Sequence, residues 1–510
     1  MFFFDSQIWF IISFSLPLLM WFISKNKNNS SKSRPPGPPG WPIIGNIFDV
    51  GMMPHQNLQK LQSKYGPVLW LKLGMSNTLV IQSSKSAEEI FKRHDLAFSD
   101  RNIPNSFTAF GYNKGSMALA PYNDYWRMIR KLCSSELFLH KRINASAPAR
   151  QNCIDLMIQR IKDDSLASRV NGESGEIELD KYLCLMTFNL IANFMLSRDI
   201  MDLKSEKGNE FYEAMKGFME WSGKPNLVDS FPFLKWIDPQ GIRGNTGKSL
   251  TKLLNMVSGF LRERVQEKLS GKVKETKDFL DVLLERNDDG KGTVDELSEK
   301  NVTIIVLEMF FGGTETTSGT IHWGLSELIR NPKSLKKLQN ELDQVIGRSR
   351  KVEENDLNKL PYLQAVVKEI MRLHPSLPLL LPRKAVKDTE FMGYSIPKDT
   401  TVILNAWAIH RDPNLWDEPL MFKPERFIDS KIDSKGQNFE FLPFGSGRRS
   451  CVGMFLGDRM VSITLARLIQ SFDWELPRNV SPDSIDMREQ MGISLRKLVP
   501  LIAIPFERHD

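Results

Sequence analysis

The chain has 510 residues, 41% apolar and 10% aromatic, with 32 glycines and 28 prolines, which excludes a disordered or collagen-like chain and suffices for a large core. The formal charge is +7, and residues 1–34 alone carry +3, so the remaining surplus is too thinly spread for nucleic acid to be the main partner. Four cysteines, Cys133, Cys153, Cys184 and Cys451, are too few and too scattered for a disulfide scaffold or a Cys-x-x-Cys metal site, and the chain reads as reduced and cytosol-facing. No repeat recurs at periods of 20 to 50 residues, against a solenoid or propeller.

From Ser6 to Ser24 there are 19 residues without a charge. As a helix they would span about 28 Å, enough to cross the hydrocarbon core of a bilayer. Asp5 precedes this run with no Lys or Arg beside it, whereas Lys25, Lys27, Lys32 and Arg34 follow it. That asymmetry predicts an uncleaved anchor with the body in the cytosol rather than a cleaved signal peptide. Residues 35–42, Pro-Pro-Gly-Pro-Pro-Gly-Trp-Pro, read as a stiff connector. The predicted organisation is an anchor over 1–24, a basic and proline-rich hinge over 25–42, and a body over 43–510.

Along the body, Trp126 and Arg130 are four residues apart and share a helix face, which by itself describes a cation–π pair. Ile242 to Ser249 is similar to a phosphate loop, but Ile242 stands where the first glycine is required and no buried strand precedes it, so the segment reads as a polar loop. Thr293-Val-Asp-Glu296 is a capping box that opens a helix expected to run to Asn331-Pro332, a length of about 58 Å. Its middle holds Gly312-Gly313-Thr314-Glu315-Thr316-Thr317. Each mid-helix glycine costs about 1 kcal/mol relative to alanine, so a close helix contact, a break or a function must offset it.

Glu369 and Arg372 lie in a run with Leu363, Val366, Val367 and Ile370 at helical spacing. On that spacing alone they are an ordinary pair worth about 0.3 kcal/mol. His410-Arg411-Asp412 resembles a kinase catalytic loop, yet Asp417 stands where the magnesium-binding Asn belongs and no Asp-Phe-Gly occurs. Gly445-Ser-Gly447-Arg-Arg-Ser450 fails the dinucleotide fingerprint at its third glycine, and seven dispersed histidines form no zinc constellation.

Phe444-Gly445-Ser446-Gly447-Arg448-Arg449-Ser450-Cys451-Val452-Gly453 packs three glycines, two arginines and a cysteine ahead of a run with Val461, Leu465, Leu468, Ile469 and Phe472 at helical spacing. Cys451 is thereby predicted at a helix N-terminus, where dipole, free N–H groups and cations favour thiolate. Such a thiolate suits a nucleophile, a soft-metal ligand or the axial ligand of haem iron.

Phe444, Gly447, Arg449, Cys451 and Gly453 match the haem-thiolate signature of the cytochrome P450 family, which the chain resembles from the proline-rich hinge to the C-terminus, with every motif in family order. Val452 departs from the proline that plant members often have there. The resemblance implies a mainly α fold with small β-sheets, preceded by a single N-terminal transmembrane helix, and a haem b whose iron is bound by Cys451. It implies cofactor contacts from Phe444 and, at the propionates, from Arg449, Trp126, Arg130 and Arg383. Gly312 and Gly313 would make room for dioxygen, the Thr316 hydroxyl would bond to the activated oxygen, and Glu315 would help relay protons. Glu369, Arg372 and Arg426 would form a buried brace behind the cysteine loop.

By the same resemblance the chain is a monooxygenase of the endoplasmic reticulum membrane, single-pass with its body cytosolic. Its electrons would come from NADPH through a separate flavoprotein reductase, docked near Arg127, Lys131 and Arg448. Segments 103–120, 209–230, 305–314, 377–381 and 491–495 would line the pocket, among them Phe107, Phe110, Phe310, Leu377, Leu379 and Leu380, and so imply a small apolar ligand. The wording looks most like plant enzymes that oxidise monoterpenoids and iridoids, some of them repeatedly at one carbon. Phenolic, alkaloid and diterpenoid substrates, a haem-thiolate isomerase or dehydratase, and a haem carrier or gas sensor are the alternatives. The expected topology is testable at the sequons of Asn144, Asn301 and Asn479. None should carry glycan after expression in a eukaryotic secretory system, and a mobility shift on glycosidase digestion would reverse the orientation.

Overall fold

The computed structural model describes residues 33–202, 205–271, 277–285 and 297–508. The expected anchor, most of the basic cluster and the Thr293 capping box lie outside the described residues. Contacts divide the chain into two compact units, one comprising described residues from 33–105, 225–240 and 379–409, the other those from 106–224, 241–378 and 410–508.

In the first unit, Val68–Leu73 and Ser76–Ile81 form an antiparallel hairpin turned at Gly74, whose φ of 60° is the left-handed conformation glycine tolerates. Ser76–Ile81 pairs in parallel with Thr401–Leu404, and Arg383–Lys384 and Asp100–Arg101 complete a five-stranded sheet. Helix α1, Pro54–Tyr65, starts on a proline whose missing N–H costs nothing there, and its Leu58 joins Leu69, Leu71 and Val80 in a core. Helix α2, Ser84–Arg93, opens on a capping box between Ser83 and Ser86.

The second unit is helical. It contains α3 (Asp124–Leu132), α4 (Ala147–Val170), α5 (Leu179–Leu196), α6 (Glu206–Ser222), α7 (Ile242–Leu269), α8 (Glu299–Arg330), α9 (Pro332–Val345), α10 (Pro361–Leu373) and α11 (Met454–Ser471). A three-stranded sheet of Ile177–Glu178, Ile502–Glu507 and Phe472–Glu475 and a hairpin of Glu489–Met491 with Leu495–Lys497 complete it. Helix α8 is the axis of this unit, packing on α5, α7, α10 and α11. It is hydrophobic nearly all round because it is surrounded, and Phe310 and Phe311 stack on Phe188 of α5 and Phe218 of α6 at centroid distances of 4.7 and 4.2 Å.

Two expectations about helix limits are revised. Helix α8 has its N-cap at Ser298, whose side chain accepts from the Asn301 N–H, and it ends at Arg330 as expected before Asn331-Pro332. Residues 242–249 are not a polar loop but the first turns of α7. Ile242, Thr246 and Leu250 are buried at four-residue spacing, and Gly241 at φ 63° launches the helix. The mid-helix glycines of α8 turn out to do different things. A Cβ on Gly313 would lie 2.5 Å from the Ile191 side chain, so Gly313 serves the close contact of α8 with α5, whereas a Cβ on Gly312 would meet nothing within 4 Å.

The helix gain from alanine is common to both positions, so Gly313→Ala should be less stable than Gly312→Ala by about 1–3 kcal/mol, the cost of overpacking. Thermal unfolding of the two variants checks this, and equal midpoints would refute the division of labour.

Candidate active site

The cysteine loop is built by backbone geometry. Gly445 and Gly447 take φ values of 66° and 71°, which a side chain would oppose, and the Cys451 N–H donates to the Phe444 carbonyl at 3.0 Å to close the loop. Gly453 is the N-cap residue of α11, and its N–H bonds to Cys451. Of the four cysteines Cys451 alone is exposed. Burial pushes the Cys133, Cys153 and Cys184 thiols up to about 12 and makes them inert. The expectation that its surroundings favour a Cys451 thiolate is corrected in part. The Gly453 N–H and Arg130 do pull its pKa down, but desolvation outweighs them and the thiol sits above its ordinary value.

Cations and an indole converge beside this loop. Arg130 of α3 donates to the Ser450 carbonyl at 2.7 Å and lies 3.3 Å from Ser450 Oγ. Arg449 donates to the Ala120 carbonyl at 2.7 Å and stacks over Trp126 at 4.2 Å, while Trp126 Nε1 donates to the Met117 carbonyl at 2.8 Å. Trp126 is placed by its own backbone, whose N–H the Asn123 N-cap accepts at 2.9 Å. The donor set fits a haem. The exposed Cys451 would serve as a ligand to the iron, and Arg130, Arg449 and the Trp126 indole would be partners for two carboxylates. Among the described residues no cluster of His, Cys, Asp or Glu could hold a metal ion, so a lone cysteine suits an iron that brings its other ligands with it.

Helix α8 presents Gly312 and Thr316 on one face, and the Thr316 hydroxyl donates to the Gly312 carbonyl at 2.6 Å. Glu315 turns elsewhere. It accepts from Ser494 Oγ at 2.6 Å and pairs with Arg496 at 3.1 Å. Burial holds its carboxyl above the usual range although Arg496 and Ser494 oppose the shift. A residue the motifs did not flag lies two turns earlier, where buried Glu308 accepts from the Ser116 hydroxyl and from the Met117 and Ala118 N–H groups at 2.7 and 3.0 Å. It fastens the loop that carries the acceptors of Trp126 and Arg449 to α8.

Behind the cysteine loop, Glu369 binds Arg372 through two bonds of 2.7 and 2.9 Å and Arg426 at 3.1 Å, and it accepts the Lys423 N–H at 2.8 Å. The Arg372 guanidinium continues to the carbonyls of His410 and Pro419 at 2.7 and 2.8 Å. Glu369 and Arg372 have no exposed side-chain surface, so they are a buried pair rather than a surface one.

Most of the expected pocket segments of the second unit meet. Phe107 packs on Phe218 at 5.7 Å, and Phe110 lies 3.8 Å from where a Cβ on Gly247 would be. Ser376, beside Leu377, donates to the Thr316 carbonyl at 3.3 Å and its own carbonyl accepts the Leu495 N–H at 2.8 Å. Phe310 is different. It is fully buried between Phe188 and Phe211, which makes it a core residue. In the first unit, Leu379 packs beside the Leu58 and Leu69 core, Leu380 sits at φ 49°, and Arg383 forms a buried ion pair with Asp95 at 2.8 Å and donates to the Phe98 carbonyl at 3.4 Å.

A helical body that presents one exposed cysteine from a glycine loop and carries both a buried Glu-x-x-Arg network and a glycine–threonine helix segment has the parts of a haem-thiolate oxygenase. Comparisons with known proteins agree. The cytochrome P450 family model matches residues 35–501. The chain is 51% identical to iridoid oxidase from Catharanthus roseus over 98% of this chain and 96% of that protein. It is 40% identical to geraniol 8-hydroxylase from the same plant, over 93% and 94%. A zebra fish cytochrome P450 solved with progesterone superposes with a TM-score of 0.75 at 26% identity, covering 89% of this chain and 99% of that one. The chain belongs to the cytochrome P450 family and is a haem-thiolate monooxygenase, served by a redox partner.

Removing the sulfur tests the ligand directly. Cys451→Ala should abolish the absorption band of the reduced, carbon-monoxide-bound thiolate haem while Cys184→Ala keeps it, and a normal band in Cys451→Ala would defeat the assignment.

Proposed function

We propose that this monooxygenase oxidises a small apolar terpenoid, a monoterpenoid or iridoid, by hydroxylation and by repeated oxidation of the same carbon. The observation that carries the reading is the 51% identity to an iridoid oxidase along almost the whole chain. Bound haem supplies an iron that activates dioxygen with two electrons from NADPH, putting one oxygen atom into a C–H bond of the substrate and reducing the other to water.

Cys451 binds the iron, and the Gly453 N–H directed at it tempers the charge on sulfur. Arg130 and Arg449 hold the propionates together with Trp126. Within the first unit, Arg383 is fixed in orientation by Asp95. Thr316 keeps an exchangeable proton on the open face of α8, 2.6 Å from the Gly312 carbonyl, and Glu315 is the adjacent acid. Burial raises the Glu315 carboxyl above its ordinary range, against the pull of Arg496 and Ser494. Phe107, Phe110 and Leu377 shape the pocket and exclude water.

Residues 6–24 anchor the chain in the endoplasmic reticulum membrane with the body in the cytosol, and among the described residues no helix is long and apolar enough to cross a membrane. The reductase docks on a basic face that includes Lys131, Arg448 and Arg127, the last in an exposed pair with Asp124.

The test supplies anchored enzyme, reductase and NADPH with monoterpene alcohols and iridoid precursors and analyses the products by mass. A product heavier by one oxygen, or its aldehyde or acid, supports the reading. An intact thiolate-haem spectrum with no product would discard the terpenoid assignment, and turnover without NADPH would favour an isomerase. On an accepted substrate, Thr316→Ala should retain haem but divert most reducing equivalents to peroxide. Fully coupled turnover in that variant would assign proton delivery to another group.

A further inference from the structure

We infer that His410 is a positioning residue of the cysteine loop: its imidazole joins the backbone carbonyl of Arg372 to the backbone N–H of Leu442 and so couples the Glu369 network to the segment that presents Cys451.

His410 is fully buried. Its Nδ1 lies 3.2 Å from the Arg372 carbonyl oxygen, and its Nε2 lies 2.8 Å from the Leu442 nitrogen. A carbonyl can only accept and an amide N–H can only donate, so Nδ1 carries the proton and Nε2 is the acceptor. One neutral tautomer satisfies both bonds. Burial, with Arg411 and Arg372 beside the ring, pushes its pKa down to about 3, so the acceptor persists through the working range of a cytosolic enzyme.

The bond to Arg372 is reciprocated, because the Arg372 guanidinium donates to the His410 carbonyl at 2.7 Å. On its other side, Leu442 leads directly into the loop. Its carbonyl accepts the Gly445 N–H at 3.1 Å, and the Phe444 carbonyl accepts the Cys451 N–H. The ring also packs at 5.5 Å from Phe441, which touches Phe427 and Trp416. Without His410 the Leu442 N–H would be a buried donor in need of a partner, at the base of the loop that fixes the sulfur.

Two amide side chains divide the two bonds. Gln at 410 can reach the position of Nε2 and accept from Leu442 while giving up the Arg372 carbonyl, and Asn can reach the position of Nδ1 and do the reverse. In the holoenzyme, His410→Asn should accelerate hydrogen exchange of the Leu442 amide about tenfold or more, whereas His410→Gln stays near wild type. The carbon-monoxide band of reduced His410→Asn should also convert from the thiolate to the thiol form about tenfold faster than that of His410→Gln. The inference rests on Cys451 as the iron ligand. Exchange at Leu442 reads the link independently of that assignment, and the band reads its effect on sulfur. Equal behaviour of the two variants, or a worse His410→Gln, would overturn the inference and leave His410 a brace for Arg372 alone. Should neither variant accumulate as a haem protein, fast exchange of Leu442 in the wild type overturns it and strong protection supports it.

Discussion

Glu369 is a carboxylate without exposed surface that answers two guanidinium groups and a backbone N–H at once. Burying three charges is costly, and removing one partner of such a set typically costs about 3–5 kcal/mol because the others are left uncompensated. The arrangement is therefore poor as a source of stability and strong as a constraint, since it tolerates one geometry. Through Arg372 it holds the carbonyls of His410, Pro419 and Met421, and through Arg426 those of Asp417 and Glu418. The meandering chain before the cysteine loop contains little regular structure of its own, and it takes its shape from these bonds.

A second constraint is α8. One helix contributes Glu308 to fasten the loop beside Arg449, Gly312 and Thr316 to an open face, Gly313 to the contact with α5, and Gly324 to a close approach of Ile370 and Leu465. Position along a single rigid rod thus fixes the spacing between the loop, the threonine and the core. This is how a mainly apolar helix can present an open face without losing its packing.

Much of this was legible in the sequence where partners are neighbours in the chain. The i,i+3 pair of Glu369 and Arg372, the end of α8 and the glycine loop around Cys451 all follow from local spacing, whereas the cation stacked over Trp126 is the distant Arg449. What escaped joins distant residues: Glu308 to Met117 across 191 positions, Glu315 to Ser494 across 179, His410 to Leu442 across 32. Nothing in a single sequence marks such pairs. Residues 242–249 were misread for another reason, since Gly244 and Gly247 imitate a loop while Ile242, Thr246 and Leu250 keep helical spacing. The donors around Cys451 are legible in the loop sequence, whereas the desolvation that opposes them is not.

The unequal roles of Gly312 and Gly313 separate two properties that are usually entangled in a binding cavity. Bulk added at 313 is resisted by the scaffold, because the neighbouring helix already occupies that space. Bulk added at 312 enters open volume on the face that carries Thr316 and even gains helix propensity. Residue 312 is therefore a position at which directed evolution can add bulk to the face that carries Thr316 without drawing down the stability of the fold.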